Sequence, residues 1–133
     1  MTQTHVEIIK TLTQDDFNRF AALSGDYNPI HVDPVFSAKT KFGKTVAHGA
    51  LLVTILRGLT DQLIKNGKQI SHQVKFTAPT FTGDEMKFST TLIKTISNTH
   101  HIKLQVRRLS DDTVTCEGEA MVSTKKDVHA SRT

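Results

Sequence analysis

The sequence predicts an α+β domain in which an antiparallel sheet wraps around one long central helix. Three observations carry this expectation. The stretch from His48 to about Asn66 has helical spacing and is apolar nearly all round over its first two turns. Four segments after it alternate apolar and polar residues with period two. Short polar connections separate those segments. A helix that is apolar on several sides must be surrounded, and strands with one dry face can surround it.

Taken in order, His5–Lys10 reads as a short strand. Thr13 is placed to cap a helix, with Asp15 and Asp16 favouring the positive end of its dipole. Phe17, Phe20 and Leu23 continue that helix to about Ser24, and Gly25 can stop it by turning left-handed. Gly25-Asp26-Tyr27-Asn28-Pro29 is rich in turn formers, and Pro34 can open a short helix through Ala38. The central helix carries Ala50-Leu51-Leu52-Val53 and then Ile55. Its later turns are one-sided, with Leu56, Leu59 and Leu63 opposite Arg57, Asp61 and Lys65, and Gly67 closes it.

The strand signals are Ile70, His72, Val74, Phe76 and Ala78, then Met86, Phe88, Thr90, Leu92 and Ile96. Ile102, Leu104 and Val106 form a third set, and Val114, Cys116, Ala120 and Val122 a fourth. Asn98-Thr99 and Ser110-Asp111-Asp112 read as hairpin connections. From Lys125 onward the chain is polar and expected to fray.

The 133 residues suit one domain, 1–133. At 37% apolar and 23% charged the chain reads as globular rather than disordered. No apolar run approaches the ~20 residues that cross a bilayer. The single cysteine excludes an internal disulfide and a Cys-rich zinc site. The net charge of +4 comes from scattered residues, Trp is absent, and there is one Tyr, so nucleic acid is not an expected partner. Met1–Lys10 has no apolar signal core, which makes a cytoplasmic protein the default expectation.

The chemistry concentrates between Phe20 and Gly49. Asp26 and His31 are five residues apart across a turn, close enough for a carboxylate and an imidazole to share one water. Such a pair can take a proton from that water and deliver one elsewhere, general acid–base work worth roughly 10²–10⁴-fold. Taken alone, an Asp/His pair is more often a turn cap and a satisfied ring. Gly49 begins the central helix, where free N–H groups can stabilise charge developing on an oxygen. Taken alone, it could equally relieve crowding.

His31-Val32-Asp33 with His48 has the composition of a two-His, one-carboxylate iron site. Those ligands usually sit in a strand-rich barrel, whereas here a helix begins at His48, so no metal is expected. His72 and Cys116 fall on dry strand faces and read as core, and His100-His101 as a hairpin feature. No Gly-rich phosphate loop is present.

Phe20-x-x-Leu23-Ser24-Gly25-Asp26-x-Asn28-Pro29-Ile30-His31, followed after five residues by Ser37, resembles the signature of the MaoC-like (R)-specific enoyl-CoA hydratases. Ten positions match within eighteen residues. Phe42-Gly43-x-x-Val46-Ala47-His48-Gly49 and Val74-x-Phe76-x-x-Pro79-x-x-x-Gly83-Asp84 are similar to the same family. The resemblance implies a hotdog fold and a homodimer. It puts the catalytic dyad on Asp26 and His31 and an oxyanion donor on the Gly49 amide. Asn28, Ser37 and His48 are the substrate-binding candidates. The implied reaction is hydration of a trans-2-enoyl-CoA to the (R)-3-hydroxyacyl-CoA, and its reverse. The implied partner is an acyl-CoA thioester, with CoA as part of the substrate and no separate cofactor. Lys41, Lys44 and Lys75 are candidates for its phosphates, although each could simply be solvated. A hotdog acyl-CoA thioesterase and a non-catalytic acyl-thioester binding module are the alternatives.

Overall fold

The computed structural model describes residues 3–125. The elements are β1 (His5–Thr11), α1 (Gln14–Ser24), α2 (Pro29–Val32), α3 (Pro34–Ala38), α4 (Gly49–Leu63), β2 (Lys68–Phe76), β3 (Glu85–Ile96), β4 (Thr99–Arg108) and β5 (Thr113–Ser123). The polar tail beyond Lys125 lies outside the described residues.

All strands pair antiparallel, in the order β1-β3-β4-β5-β2. β3, β4 and β5 form a meander. β1 adds to one side through pairs such as Ile8 with Phe88, and β2 adds to the other through His72 with Ala120. The first hairpin turns at Ser97 and Asn98, one residue earlier than the sequence suggested, with Ser97 left-handed at φ 54°.

Period-two patterning puts Met86, Phe88 and Thr90, Ile102, Leu104 and Val106, and Cys116, Ala120 and Val122 on one buried face. α4 meets that face with Leu52, Leu56, Leu59 and Leu63, all buried. Burying one such leucine stabilises by about 1.5–3 kcal/mol, so this stripe fixes the helix on the sheet. Thr60 is buried beside them without penalty, because its hydroxyl donates to the Leu56 carbonyl at 2.8 Å.

α1 has the expected ends. Thr13 and Asp16 form a reciprocal capping box, and Gly25 at φ 82° donates its N–H to the Ala21 carbonyl. α4 ends differently from expectation: the helix stops at Leu63, and Asn66, not Gly67, takes the left-handed turn at φ 62°. The short α2 was not anticipated, because Asn28-Pro29 reads equally as a turn and as a helix cap followed by proline.

The surround is one-sided. α4 packs against β3, β1 and β4, leaving Ala50, Thr54 and Gly58 exposed. Ile70 and Phe76 on β2 are 55% and 52% exposed, so the expected dry face of this strand is open in the single chain. Five strands can cover only one side of a helix about 10–12 Å across. Among the described residues no helix is long and apolar enough to cross a membrane.

Candidate active site

The segment between α1 and α4 folds through its own side chains. Ser24 Oγ donates to the Phe20 carbonyl and accepts from the Asp26 N–H. Asp26 Oδ1 accepts from the Asn28 N–H, and Asn28 Oδ1 accepts from the Ile30 N–H, both at 3.2 Å. Asn28 thus caps α2 and Pro29 occupies its first turn, which carries His31. Asp33 caps α3 by accepting from the Phe36 N–H. Ser37 on α3 is wholly buried, and its hydroxyl faces the Pro29 and Ile30 carbonyls at 3.4 and 3.3 Å.

His31 Nδ1 lies 2.7 Å from the Val46 carbonyl oxygen. A carbonyl only accepts, so Nδ1 carries the proton and Nε2 of the neutral ring presents a lone pair. That Nε2 is 3.8 Å from Asp26 Oδ2. The gap is too wide for a direct hydrogen bond, but an oxygen placed about 2.8 Å from both atoms would bridge them. The imidazole is mostly covered, with 15% of its side chain exposed, whereas the carboxylate is 53% exposed.

His48 lies beneath this pair. It is 2% exposed and stacks on His31, with centroids 4.0 Å apart and planes 24° from parallel. Its Nε2 donates to the Asp26 carbonyl at 3.0 Å, and Phe17 and Phe20 enclose the ring. Burial lowers its pKa below the ordinary 6.5, and the neighbouring His31 lowers it further, outweighing the Asp26 contact. His48 is therefore neutral near pH 7.

Gly49 opens α4. No side chain caps this end, and the Leu51 N–H turns back to the His48 carbonyl. The Gly49 amide has no backbone acceptor among the described residues. It borders a cavity of about 450 Å³ lined mainly by Phe42, Val46, Ala47, Leu52, Phe76 and Pro79. Val46 connects the two halves of the site: its side of the chain lines the cavity, and its carbonyl holds His31. A recess of about 550 Å³ on the strands, near Gln73, Lys103 and Glu117, contains none of Asp26, His31 or Gly49.

One ligating atom each from Asp26, His31 and His48 lies within 4.8 Å of the others, a spacing open to a metal ion. Asp33, the carboxylate weighed from sequence, instead caps α3. The His48 Nε2 donates to the Asp26 carbonyl, whereas its Nδ1 has no hydrogen-bond partner among the described residues. Lys41 sits 5.3 Å over the ring of Phe42, Lys44 is exposed in the same loop, and Lys75 lines the recess on the strands.

Gln14 was not singled out from sequence. Its amide donates to the His31 carbonyl at 2.9 Å and accepts from the Thr45 hydroxyl at 2.7 Å, tying α1 to both sides of the site. Phe20 and Val46 stand in the sequence motifs, but the contacts of the Phe20 ring with His48 and of the Val46 carbonyl with His31 were not assigned. These are contacts between distant segments, and no local spacing marks them.

Residues 2–114 match the model of the MaoC like domain. A stretch of 69 residues is 42% identical to an (R)-specific enoyl-CoA hydratase of Aeromonas caviae, covering 50% of this chain and 52% of that protein. The chain thus spans about half the length of that relative. Over 123 residues it is 28% identical to a 3-hydroxybutyryl-CoA dehydratase of Methylorubrum extorquens, covering 91% of this chain and 78% of that one. Its structure superposes on the (R)-hydratase from A. caviae involved in PHA biosynthesis with a TM-score of 0.86 and 26% identity, covering 94% and 97% of the two chains. The loop that sets an aspartate across from a histidine, on a sheet wrapped over one helix in the hotdog manner, therefore belongs to a member of the MaoC-like domain family.

Proposed function

We propose that this chain is a hydro-lyase that adds water to trans-2-enoyl-CoA to give (R)-3-hydroxyacyl-CoA, and catalyses the reverse dehydration. The observation that carries the proposal is the 3.8 Å gap between Asp26 Oδ2 and a His31 Nε2 whose lone pair is fixed by the Val46 carbonyl. The names of the hydratase and dehydratase relatives support the substrate class and the (R) outcome.

A water between the two groups attacks C3 of the enoyl thioester. Its oxygen bonds to C3, and one of its protons passes to one member of the dyad. The electron pair of the C2–C3 double bond moves to the thioester oxygen, where the Gly49 N–H stabilises the enolate. The dyad then delivers that proton to C2 as the carbonyl re-forms, so both groups return to their starting protonation states. One water is added and no electrons leave the substrate. The apolar cavity beside Gly49 receives the acyl chain. We read Asn28 and Ser37 as shaping the loop, since their side chains already bond its backbone.

The working unit is a homodimer in this proposal, and the compartment is cytoplasmic. The open β2 edge with Ile70 and Phe76 exposed supports the dimer, because a second copy would cover both.

The test is the loss of enoyl-thioester absorbance when purified protein meets crotonyl-CoA and longer enoyl-CoAs. Asp26→Asn and His31→Ala should each lower kcat by about 10²–10⁴-fold. Full activity in either variant removes that residue from the dyad. Release of free thiol from saturated acyl-CoA would instead identify a thioesterase, and ligand binding without turnover would identify a binding module.

A further inference from the structure

We infer that His48 is a positioning residue that holds Asp26 and His31 in register with each other and with the Gly49 amide. The inference rests on the proposed hydratase reading and extends it to a residue that does not reach the substrate.

Asp26 needs such a restraint. Its side chain is half exposed, and its N–H and Oδ1 are bonded only within its own turn, to Ser24 and Asn28. Those bonds shape the turn but do not fix it against the rest of the protein. The bond from His48 Nε2 to the Asp26 carbonyl crosses 22 residues and joins the turn to the first residue of the α4 cap. The same ring lies flat against His31 at 4.0 Å. The residue that follows it supplies the Gly49 amide. One buried side chain therefore contacts both members of the dyad and sits one bond from the third element of the site.

Packing alone does not explain a histidine here. Its Nδ1 is buried with no hydrogen-bond partner among the described residues. An unsatisfied buried nitrogen destabilises the fold, and a phenylalanine of similar shape would avoid it. The histidine supplies one thing phenylalanine cannot, a donor for the Asp26 carbonyl. Phe17 and Phe20 enclose the ring, and at 2% exposure it cannot turn into the cavity to touch a ligand. It acts through its neighbours.

Two substitutions separate the donor from the ring. His48→Phe keeps the ring and loses the donor, and His48→Gln keeps an amide donor and loses the ring. His48→Phe should still fold, as read by a cooperative thermal transition, and lower kcat by about 10–10²-fold, with KM changed by less than about twofold. His48→Gln should recover at least about fivefold of that loss. Wild-type kcat in His48→Phe overturns the inference, and so does a loss that His48→Gln fails to recover.

A second readout needs no turnover. The NMR chemical-shift change of the His31 ring caused by Asp26→Asn is measured at one fixed pH, in wild type and in His48→Phe. That shift should shrink in the His48→Phe background, because the carboxylate is no longer held near the ring. An unchanged shift overturns the inference even if wild type proves inactive as a hydratase. Inactivity of wild type alone counts only against the hydratase reading.

Discussion

The ring of Phe76 occupies the space where residue 49 would carry a side chain. A β-carbon built on Gly49 would lie 2.6 Å from Phe76 Cζ and 2.9 Å from Cε2. Both residues border the 450 Å³ cavity, so the absence of a side chain at position 49 lets β2 close against the start of α4. The crowding reading and the oxyanion reading of this glycine are compatible. The first accounts for its missing side chain, and the second, in the proposed reaction, would use the amide that any helix start leaves free.

Gly49→Ala should therefore fold and lose activity. The obstructing atoms belong to a ring that is 52% exposed and able to swing away. Overpacking of this kind destabilises by about 1–3 kcal/mol. The displaced ring and the new methyl group narrow the cavity, so kcat/KM for enoyl-CoA hydration falls. Adding Phe76→Ala should restore part of the stability lost in Gly49→Ala, as read by thermal unfolding of the single and double variants.

Gly118→Ala should behave differently, because its obstruction is main chain. A β-carbon there would meet the Gln73 carbonyl oxygen at 1.9 Å and Val74 Cα at 2.7 Å. Relief requires β5 and β2 to separate where Gly118 faces Val74. The expected loss is about 3 kcal/mol, the upper end for overpacking. Hydrogen exchange of the β2 amides should accelerate more than that of β3 or β4. Equal protection across the sheet would contradict this account.

Arg108 ties the β3 entry turn to the β4–β5 hairpin. Its Nε donates to Asp84 at 2.8 Å and its Nη1 to Asp111 at 3.1 Å, while Nη2 donates to the Pro79 carbonyl. Burial disfavours its charge, but the two carboxylates outweigh that and raise its pKa. With 11% and 16% of their side chains exposed, Arg108 and Asp84 form a largely buried pair. Arg108→Leu should destabilise by about 3–5 kcal/mol, because Asp84 is left without its cation. The combined Arg108→Leu/Asp84→Leu variant should lose less than the sum of the two single changes in urea unfolding.

His72 makes stability depend on pH. Among the described residues both ring nitrogens are buried without a partner, and burial first, then Arg57, lowers its pKa below the ordinary 6.5. Between the lowered value and 6.5 the unfolded chain binds more protons than the folded one, so stability rises with pH. The contribution is complete above 6.5 and is lost as pH falls through 6.5 toward the lowered value, below which it is constant. His48 adds a slope of the same sign. Urea midpoints measured from about pH 5 to 8 should fall on the acid side, and His72→Leu should flatten the curve. An unaltered curve would place the slope elsewhere.

Much of this architecture is legible because it depends on local chemistry. The Thr13 cap, the Gly25 stop and the alternation along β3, β4 and β5 follow from rules that act within a few residues. The Asp26–His31 turn is local as well, since each link from Ser24 to Ile30 spans two residues. Sequence alone therefore determined the fold class and the order of its main elements, and it singled out Asp26 and His31 as the pair proposed for acid–base work. Tertiary structure decided what depends on distant partners. It brought Val46 to set the proton position on His31, Gln14 to brace the loop, and His48 to join the Asp26 turn to α4. It also left β2 and one side of α4 open, although their apolar residues suggested full cover. Periodicity shows that a face is apolar, but only the paths of the other segments determine what covers it.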